Sequence, residues 1–433
     1  MKNNSIKTSQ HARLLKYFSV LLLVITVVFC QSAVDVNAAD DKSRDDGWVA
    51  TWGASPFAFL SFNNAPAPGP FTNQTVRQIV RISVGGERLR VRFSNEIGDV
   101  PLTIGAASVA LVEKESAIKP ASLRKLTFGG KDSITIPAGA PVLSDPVDLQ
   151  VAALSKLAVS IYLPETTTAS TVHMGRTAFI SPAGDFTRSA AVPDAVKITT
   201  SVFLSGIYVS VADETGVIVA LGDSITDGAA STPFTFNSWP HHLAERLVDK
   251  TGKHRDMAVI NHGISGNQLL RNGAGISTLG RFDRDVLSTP GLTHIVVLIG
   301  INDIGTGGMV FPGATGPAPA MRTPEDIIAG YRQLIARAHS MSPPIKIFGA
   351  TLTPFEGTFE GYYSPDKDKV RTAVNHWIRN SSEFDGVIDF DRAIQDPDNP
   401  LRMKPEYDSG DKLHPGDAGY RRMAESIDLS IFE

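Results

Sequence analysis

The sequence predicts a two-part fold: a β-sandwich or jelly-roll region followed by a three-layer α/β domain. The first reason is length, since 433 residues are enough for two or three domains. The second is that residues 48–207 show short strand-like segments separated by turns, with no ten-residue stretch that carries a helical stripe. The third is that continuous apolar runs alternate with amphipathic helices after Asp213, which is typical of a parallel sheet covered by helices.

The extreme N-terminus has the composition of a secretory signal peptide. Four Lys or Arg residues among the first 16 precede an apolar run over residues 17–30, and small residues follow as far as Ala38 and Ala39. Residues 1–39 are therefore expected to direct export to the periplasm or the medium, with cleavage near Ala38 or Ala39. The apolar run is shorter than the roughly 20 residues that span a bilayer, which disfavours an uncleaved membrane anchor.

Composition and charge exclude several other classes of protein. Hydrophobic residues make up 42% and charged residues 20% of the chain, and the formal net charge is −4, so nothing indicates a nucleic-acid-binding surface. The single cysteine, Cys30, lies in the predicted signal peptide. Lipid attachment at Cys30 is disfavoured because Phe29 stands where such sites need a small residue. The mature protein is thus expected to have no disulfide, catalytic thiol or cysteine-based metal site.

Residues 40–212 are predicted to form the β-sandwich or jelly-roll domain. Residues 76–84 and 88–93 both alternate apolar and polar side chains, and the Gly85-Gly86 pair between them predicts a β-hairpin. Further strands are predicted at residues 107–112, 133–136 and 157–163. Pro and Gly separate these segments, as expected for an antiparallel fold.

Residues 213–433 are predicted to form the α/β domain. Residues 217–221 are apolar throughout, as expected for a strand buried on both faces of a parallel sheet. Further buried strands are predicted at residues 259–260, 295–299, 345–350 and 387–390. Helices are predicted at residues 239–249, 324–340, 365–380 and 417–427. Thr323 is the expected N-cap of the helix that begins at Pro324.

Polar residues follow these apolar strands at the points where the strands end. In an open α/β sheet, ligands bind beyond the carboxyl ends of the strands, so such residues are candidates for a functional site. The polar segments in question are residues 222–228, 261–267 and 300–303, with a fourth at 411–415.

Parts of these segments resemble the four ordered sequence blocks of the SGNH (GDSL) hydrolase superfamily. The matching residues are Gly222-Asp223-Ser224, Gly266, Gly300-Ile301-Asn302-Asp303 and Asp411-Lys412-Leu413-His414. One block alone is weak evidence, but four in the same order across the C-terminal half are specific. The resemblance implies a flavodoxin-like α/β/α fold and Ser224 as the nucleophile. It further implies an oxyanion hole made by the backbone N–H groups of Ser224 and Gly266 and the side-chain amide of Asn302. The N-terminal half is similar to the β-module that precedes the catalytic domain in exported members.

The chemistry of these residue types agrees with the resemblance. A serine hydroxyl is a weak nucleophile until a base removes its proton, and His414 is the expected base for Ser224. Asp411, three residues earlier, can reach the second ring nitrogen of His414 and stabilise the imidazolium. Pro415 favours an extended backbone at His414. Gly266 has no side chain to keep a substrate away from its N–H group.

Other residues compete for these roles. Ser265 is a second candidate nucleophile, although its neighbours do not form the Gly-x-Ser-x-Gly elbow of the α/β-hydrolases. Ser224 could instead cap the following helix, and Asn302 could belong to an ordinary turn. The acids that compete with Asp411 are Asp408, Asp389 and Asp391. The histidines expected to be packing or surface residues are His241, His242 and His262.

A metal-dependent phosphoesterase is the alternative from a different class of enzyme. Asp223, Asp227 and Asp303 lie near the expected nucleophile, and clustered carboxylates bind divalent ions. However, no His-x-His pair stands in a ligand arrangement, and the adjacent His241 and His242 would diverge on a helix. We therefore expect no metal. We also expect no organic cofactor, because the sequence has neither a Walker loop nor a dinucleotide-binding fingerprint.

The expected activity is that of an exported serine esterase that forms an acyl-enzyme. Export and an attached β-module favour an acetylated glycan as its substrate, whereas a lysophospholipase or short-chain lipid esterase is the second candidate. Acyl transfer to an alcohol would use the same residues. No nucleic acid partner and no stable membrane insertion after signal cleavage are expected. The β-region is expected either to brace the catalytic domain or to bind sugar rings through aromatic residues such as Trp48, Trp52, Phe57 and Phe59.

Overall fold

The computed structural model describes residues 47–59, 67–211, 215–248, 257–310 and 317–433. The predicted signal peptide, residues 1–39, lies outside the described residues. From Gly47 to Glu433 the chain packs as one compact unit.

Antiparallel sheets make up the N-terminal region, residues 47–211. Its strands are β1 Gly47–Gly53, β2 Gln74–Arg81, β3 Gly86–Ser94, β4 Leu102–Ile104, β5 Ala106–Lys114, β6 Ala117–Ile118, β7 Arg124–Leu126, β8 Ile134–Ile136, β9 Pro141–Leu143, β10 Val147–Val151, β11 Lys156–Leu163, β12 Val172–Ala183, β13 Val196–Val202 and β14 Leu204–Val211. One sheet has the order β1-β14-β3-β10 with β9 paired to β3, and the larger has the order β13-β12-β2-β11-β5-β6 with β7 paired to β5. β4 and β8 form a separate pair.

The predicted hairpin between residues 76–84 and 88–93 is wrong. β2 pairs with β11 and β12 in the larger sheet, whereas β3 pairs with β14, β10 and β9 in the other. The chain crosses from one sheet to the other at residues 82–84. As a result, Val80 of β2 and Val91 of β3 both enter one hydrophobic core. Burying the apolar faces of two sheets against each other outweighs the local turn preference of the glycine pair.

The C-terminal region contains a five-stranded parallel sheet. Its strands are β15 Gly216–Gly222, β16 Met257–Gly263, β17 Leu292–Leu298, β18 Lys346–Ala350 and β19 Gly386–Ile388. They are ordered β16-β15-β17-β18-β19. In chain order this is 2-1-3-4-5, the flavodoxin-like arrangement of doubly wound sheets. The predicted fold class, a β-rich region followed by an α/β region, is confirmed.

The helices of the C-terminal region are α1 Ser224–Asp227, α2 Trp239–Val248, α3 Thr278–Phe282, α4 Ile301–Gly305, α5 Pro324–His339, α6 Pro365–Asn380, α7 Phe390–Ile394 and α8 Asp417–Glu425. The four longest, α2, α5, α6 and α8, lie close to the four predicted positions, whereas no bounds were predicted for the four short helices. A π-helical turn spans Asp283–Leu287, and short 3₁₀ helices span Pro120–Ser122 and Leu429–Phe432. The helix predicted from Pro324 begins with Thr323 as its N-cap, in a reciprocal capping box with Asp326. In the described ranges, no helix is both long enough and apolar enough to cross a membrane.

The N-terminal and C-terminal regions share side-chain and backbone contacts. β1 lies against the first strands of the parallel sheet, and the backbone N–H of Ala50 donates to the Pro290 carbonyl at 2.9 Å. The backbone N–H of Val259 donates to Ser83 Oγ at 3.1 Å. Buried apolar residues of both regions belong to one large hydrophobic cluster, so the main cores of the two regions are continuous.

Candidate active site

The polar segments meet at the carboxyl edge of the parallel sheet. Ser224 lies two residues after the end of β15, and Asn302 follows β17 at the start of α4. β15 and β17 are neighbours, and the strand order reverses between them. This switch point is where open α/β sheets form a crevice for ligands.

Ser224 is the first residue of α1 and is 6% exposed. The N-cap is Asp223, whose Oδ1 accepts a hydrogen bond from the backbone N–H of Ile225 at 3.0 Å. The capping role considered for Ser224 therefore belongs to Asp223. The Ser224 hydroxyl is left to make a contact outside its own helix.

That contact is with His414. His414 Nε2 lies 2.9 Å from Ser224 Oγ, across 190 residues of sequence. On the other side of the ring, His414 Nδ1 lies 2.6 Å from Asp411 Oδ2. The second oxygen, Asp411 Oδ1, accepts the backbone N–H groups of Leu413 at 2.9 Å and of His414 at 2.8 Å. The structure thus brings the three side chains of the expected triad into one hydrogen-bonded chain.

The surroundings of Asp411 favour its ionised form. Partial burial alone would raise the pKa of Asp411, but the hydrogen bond and positive charge of His414, with the two backbone N–H groups, hold this pKa well below its usual range. The competing acids lie elsewhere. Asp408 accepts from Lys412 Nζ at 2.7 Å, whereas Asp389 and Asp391 bind Arg379.

Two of the expected oxyanion donors, Gly266 and Asn302, follow β16 and β17, which are the two neighbours of β15 in the sheet. Gly266 has a φ of +79°, a conformation that glycine adopts without strain. Asn302 is buried, and its Nδ2 donates to the Asn267 carbonyl at 3.0 Å. Tyr362 fixes the amide orientation, because its hydroxyl donates to Asn302 Oδ1 at 2.9 Å. An amide nitrogen carries two hydrogens, so Asn302 retains one for a further acceptor.

Ser265, the competing nucleophile, has a different partner. Its Oγ donates to Asp227 Oδ2 at 3.0 Å. The other oxygen, Asp227 Oδ1, contacts two side chains of β12, His173 Nε2 at 3.1 Å and Arg176 Nη1 at 3.0 Å. Burial would raise the pKa of Asp227, but the charges of Arg176 and His173 and the hydrogen bonds from His173 and Ser265 lower it below the ordinary value. A buried carboxylate therefore links α1 to the N-terminal region.

Arg281 forms a second link between the two regions. Its side chain is fully buried, and it donates to the Gly222 carbonyl at 3.0 Å and to Asn267 Oδ1 at 3.0 Å. It also donates to Ser55 Oγ of the N-terminal region at 2.9 Å and forms an ion pair with Asp285 at 3.1 Å. Arg281 thus holds the residue before Asp223 and the residue after Gly266 at fixed distances.

The carboxylates behind the phosphoesterase alternative serve other roles. Asp303 accepts the backbone N–H groups of Leu269 at 2.7 Å and Leu270 at 3.0 Å. Asp223 caps α1, and Asp227 forms the link already described. Within the described residues, no group of three or more His, Cys, Asp or Glu side chains could hold a metal ion.

Replacing Asp223 by asparagine is expected to change how stability depends on pH. Burial raises the pKa of Asp223 from 3.8 to about 7. The native state therefore keeps a proton that the unfolded chain loses between about pH 4 and pH 7, so this group lowers stability as pH rises through that window. Asp223→Asn keeps an oxygen for the Ile225 N–H but cannot ionise. The free energy of unfolding of the variant relative to wild type should therefore increase from about pH 4 to about pH 8, by at most about 4 kcal/mol. Melting temperatures of both proteins, measured across this pH range, should show the same trend. A difference that stays constant over this range would contradict the raised pKa.

The remaining histidines lie outside the triad. His262 is buried, and its Nδ1 lies 2.9 Å from Ser55 Oγ. Burial lowers the pKa of His262 and of His241 to about 3, so both are neutral at physiological pH. His242 pairs with Glu245 on α2. These contacts agree with the packing role expected for them.

The aromatic residues considered for sugar binding divide into two groups. Trp52 and Phe57 are buried in the core. The guanidinium carbon of Arg90 lies 4.4 Å from the centre of the Trp48 ring. Phe59 is half-buried and lines a groove beside Phe234. The buried members of the group therefore serve packing.

A comparison with known protein families finds a match in the C-terminal region. Residues 220–422 match the family model of the GDSL-like lipase/acylhydrolase family. Among proteins with curated descriptions, none matches this sequence.

Solved structures with a similar fold include three esterases or lipases. A carbohydrate acetylesterase from Sinorhizobium meliloti is 19% identical, with 49% of this chain and 96% of that chain covered and a TM-score of 0.36. The M. smegmatis aryl esterase is 19% identical, with 49% of this chain and 95% of that chain covered and a TM-score of 0.37. A GDSL-like lipase from Bacteroides thetaiotaomicron is 18% identical, with 50% of this chain and 87% of that chain covered and a TM-score of 0.36.

The family match covers the end of the strand that precedes Ser224, the helix that carries Asn302 and the loop that carries His414. Residues 220–422 thus form a GDSL-like lipase/acylhydrolase domain, and the protein is a carboxylic ester hydrolase.

Proposed function

We propose that the protein is an exported serine esterase that removes short acyl groups, above all acetyl groups, from a carbohydrate. The observation that carries the catalytic part of the proposal is the hydrogen-bonded chain Asp411–His414–Ser224, with contacts of 2.6 and 2.9 Å. Nucleophile, base and orienting acid at hydrogen-bond distance are the arrangement that serine acyl transfer requires.

In the first half of the proposed reaction, Ser224 Oγ attacks the carbonyl carbon of the ester and its proton passes to His414 Nε2. The carbonyl oxygen becomes an oxyanion, which the N–H groups of Ser224, Gly266 and Asn302 stabilise. The intermediate collapses, the C–O bond to the alcohol breaks, and the departing alcohol takes the proton from His414. Asp411 stays ionised throughout and stabilises the imidazolium.

In the second half, water replaces the alcohol. His414 removes a proton from the water as its oxygen attacks the acyl carbon bound to Ser224. A second tetrahedral intermediate collapses, the carboxylic acid leaves, and Ser224 Oγ recovers its proton from His414. Each half of the reaction uses the same base and the same oxyanion donors.

A groove beside the nucleophile helix supports the carbohydrate part of the proposal. It has a volume of about 650 Å³ and lies between the β12–β13 edge of the N-terminal region and residues 231–235. Hydroxyl and aromatic side chains line it, among them Thr199, Thr200, Ser231, Thr235, Phe59 and Phe234. Aromatic faces and hydroxyl groups are suited to the apolar and polar faces of a sugar ring.

The groove is joined to the catalytic loop through Asp417. Thr232, on the groove wall, donates its backbone N–H and its hydroxyl to Asp417, at 2.8 and 2.6 Å. Asp417 stands three residues after His414. A sugar held in the groove would therefore lie near the loop that carries the proposed base.

A short-chain lipid esterase is the second candidate function, and one surface feature favours it. Three apolar side chains, Val310, Met321 and Phe359, are 70%, 49% and 55% exposed. The Phe359 ring lies 4.8 Å from the ring of Tyr362, which donates to Asn302. Apolar surface next to an oxyanion donor could receive an acyl chain longer than acetyl.

Acyl-length preference separates the two candidate functions. On nitrophenyl esters we expect the rate constant kcat/KM to be higher for acetyl than for octanoyl, and the reverse order would overturn the carbohydrate proposal. Phe359→Ala should lower kcat/KM on octanoyl ester only, because the exposed Phe359 ring is the proposed contact for acyl chains longer than acetyl. Phe234→Ala is the matched variant in the groove. It should raise KM for an acetylated oligosaccharide and leave nitrophenyl acetate hydrolysis unchanged.

Export is part of the proposal and has its own test. It is supported by the basic, apolar and small-residue segments of residues 1–39. Expression of the full chain in a host with a general secretion pathway should yield a mature N-terminus at residue 39 or 40. Retention of the intact N-terminus on a protein inside the cell would contradict it.

A further inference from the structure

Asp227 occupies a position between two parts of the proposed site. It is the last residue of α1, three residues after Ser224, and its side chain is buried. Through Oδ2 it accepts the hydroxyl of Ser265 at 3.0 Å, and Ser265 directly precedes Gly266. The carboxylate therefore ties the helix of the nucleophile to the loop of an oxyanion donor.

The other oxygen of Asp227 is held by the N-terminal region. His173 Nε2 lies 3.1 Å and Arg176 Nη1 3.0 Å from Oδ1. His173 is held in turn, since its Nδ1 lies 2.8 Å from the Ser55 carbonyl oxygen. Both β12 side chains are nearly inaccessible to solvent, so these contacts are little weakened by water or salt.

An irregularity in β12 makes this double contact possible. Residues 173 and 176 are an odd number apart, so in a regular strand their side chains would point to opposite faces. The pairing of β12 with β13 shifts register between Met174 and Ala178, and Gly175 has a φ of +73°. This bulge turns Arg176 to the same oxygen that His173 contacts. Bulges beside active sites often re-aim a side chain in this way.

We infer that Asp227 is a positioning residue for the oxyanion hole, and that His173 and Arg176 of the N-terminal region hold it in place. The inference rests on the proposed acyl-transfer function. Ser224 must attack the carbonyl carbon while Gly266 N–H binds the oxygen of the same carbonyl, so the spacing between α1 and residues 265–266 is part of the chemistry. Displacing such groups by about 1 Å can lower a rate by about 10²-fold. None of the three residues needs to touch the substrate.

The consequence is that the N-terminal region takes part in catalysis through the geometry it imposes. A region that only binds glycan would affect KM for a large substrate and leave small nitrophenyl esters unaffected. A region that positions the oxyanion hole affects kcat on every ester, including nitrophenyl acetate, because all esters form the same oxyanion.

The test uses Ser265→Ala and two variants of Arg176 in the full-length protein, with nitrophenyl acetate as substrate. Ser265→Ala removes only the tether and should lower kcat about 10-fold with KM and melting temperature close to wild type. Arg176→Gln should lower kcat by about 10–100-fold, and Arg176→Lys, which keeps the charge, should recover most of that loss. Thr127→Val is the matched control, because Thr127 also donates its hydroxyl to a carboxylate, Asp145, at 2.7 Å but lies in the N-terminal region away from Ser224.

Two results would overturn this inference. A folded Ser265→Ala protein with the kcat of wild type or of Thr127→Val would show that the tether does not position the hole. A loss in KM alone, with kcat unchanged, would show a substrate contact instead. If Arg176→Gln fails to fold, Ser265→Ala decides the question alone. Ser224→Ala separates this inference from the proposed function, since activity retained in that variant would refute the acyl-enzyme mechanism itself.

Discussion

Ser224→Ala is expected to lower kcat on nitrophenyl acetate by about 10⁴–10⁶-fold, with little change in KM. The reason is that the hydroxyl 2.9 Å from His414 Nε2 is the atom that would form the acyl-enzyme. His414→Ala should cost a similar factor, because a nucleophile and its base act as a unit and either loss disables both. The double variant should be little worse than either single variant.

The measurement is steady-state kinetics on purified proteins whose melting temperatures match that of wild type. Ser288→Ala is the control, since Ser288 is an exposed serine whose hydroxyl bonds only to the Arg284 carbonyl, at 2.6 Å. Wild type should also show an initial burst of nitrophenol equal to the enzyme concentration if deacylation is the slower step, and Ser224→Ala should show none. Near-native activity of Ser224→Ala would refute the proposed mechanism.

Asn302→Ala is expected to lower kcat by about 10²–10³-fold, the usual cost of one oxyanion donor. The Asn302 amide is held on both sides, by the Asn267 carbonyl at 3.0 Å and by the Tyr362 hydroxyl at 2.9 Å. It therefore needs no reorganisation when the charge develops. KM should change less than kcat, because the ground-state carbonyl oxygen carries little charge.

Tyr362→Phe is the companion variant for this prediction. It leaves the amide in place but removes the hydrogen bond that orients it, so its loss of kcat should be smaller than that of Asn302→Ala. Asn380→Ala is the control, since Asn380 lies exposed at the end of α6 and bonds to the His376 carbonyl at 2.7 Å. An Asn302→Ala protein with wild-type kcat would remove Asn302 from the oxyanion hole.

The candidate residues Ser224, Gly266 and Asn302 could be identified from the sequence because each lies in a short segment just after the end of a strand. The apolar run before Ser224 and the polar residues after it are contiguous, so strand position and chemistry are visible together. Asp411 and His414 are three residues apart, and their contact depends only on the local loop. Parallel strands also place their carboxyl ends at one edge, which is why distant segments could be expected to meet.

The supporting residues could not be identified in this way because their partners are distant in sequence. Tyr362 lies 60 residues after Asn302, in a segment with no periodic pattern. Arg176 and Arg281 are charged residues, which sequence patterns place on the solvent side, and only the fold shows that both are buried. The hairpin prediction was wrong for a related reason. Two-residue periodicity shows that β2 and β3 each bury one face, but it does not show which sheet each strand joins.

The buried guanidinium of Arg281 limits how the N-terminal region of this enzyme could be replaced by another domain. One of its donors goes to Ser55 and another to Gly222, so a single side chain bridges the first region of the chain and the nucleophile strand. A chimera with a foreign β-module grafted at residues 212–213 would remove Ser55, one acceptor of this cation, and the two β12 side chains that contact Asp227 Oδ1. Both buried charges would then be less well paired in the interior. A domain replacement that keeps activity must therefore retain residues 53–57 and 172–176 together with the hydrolase region.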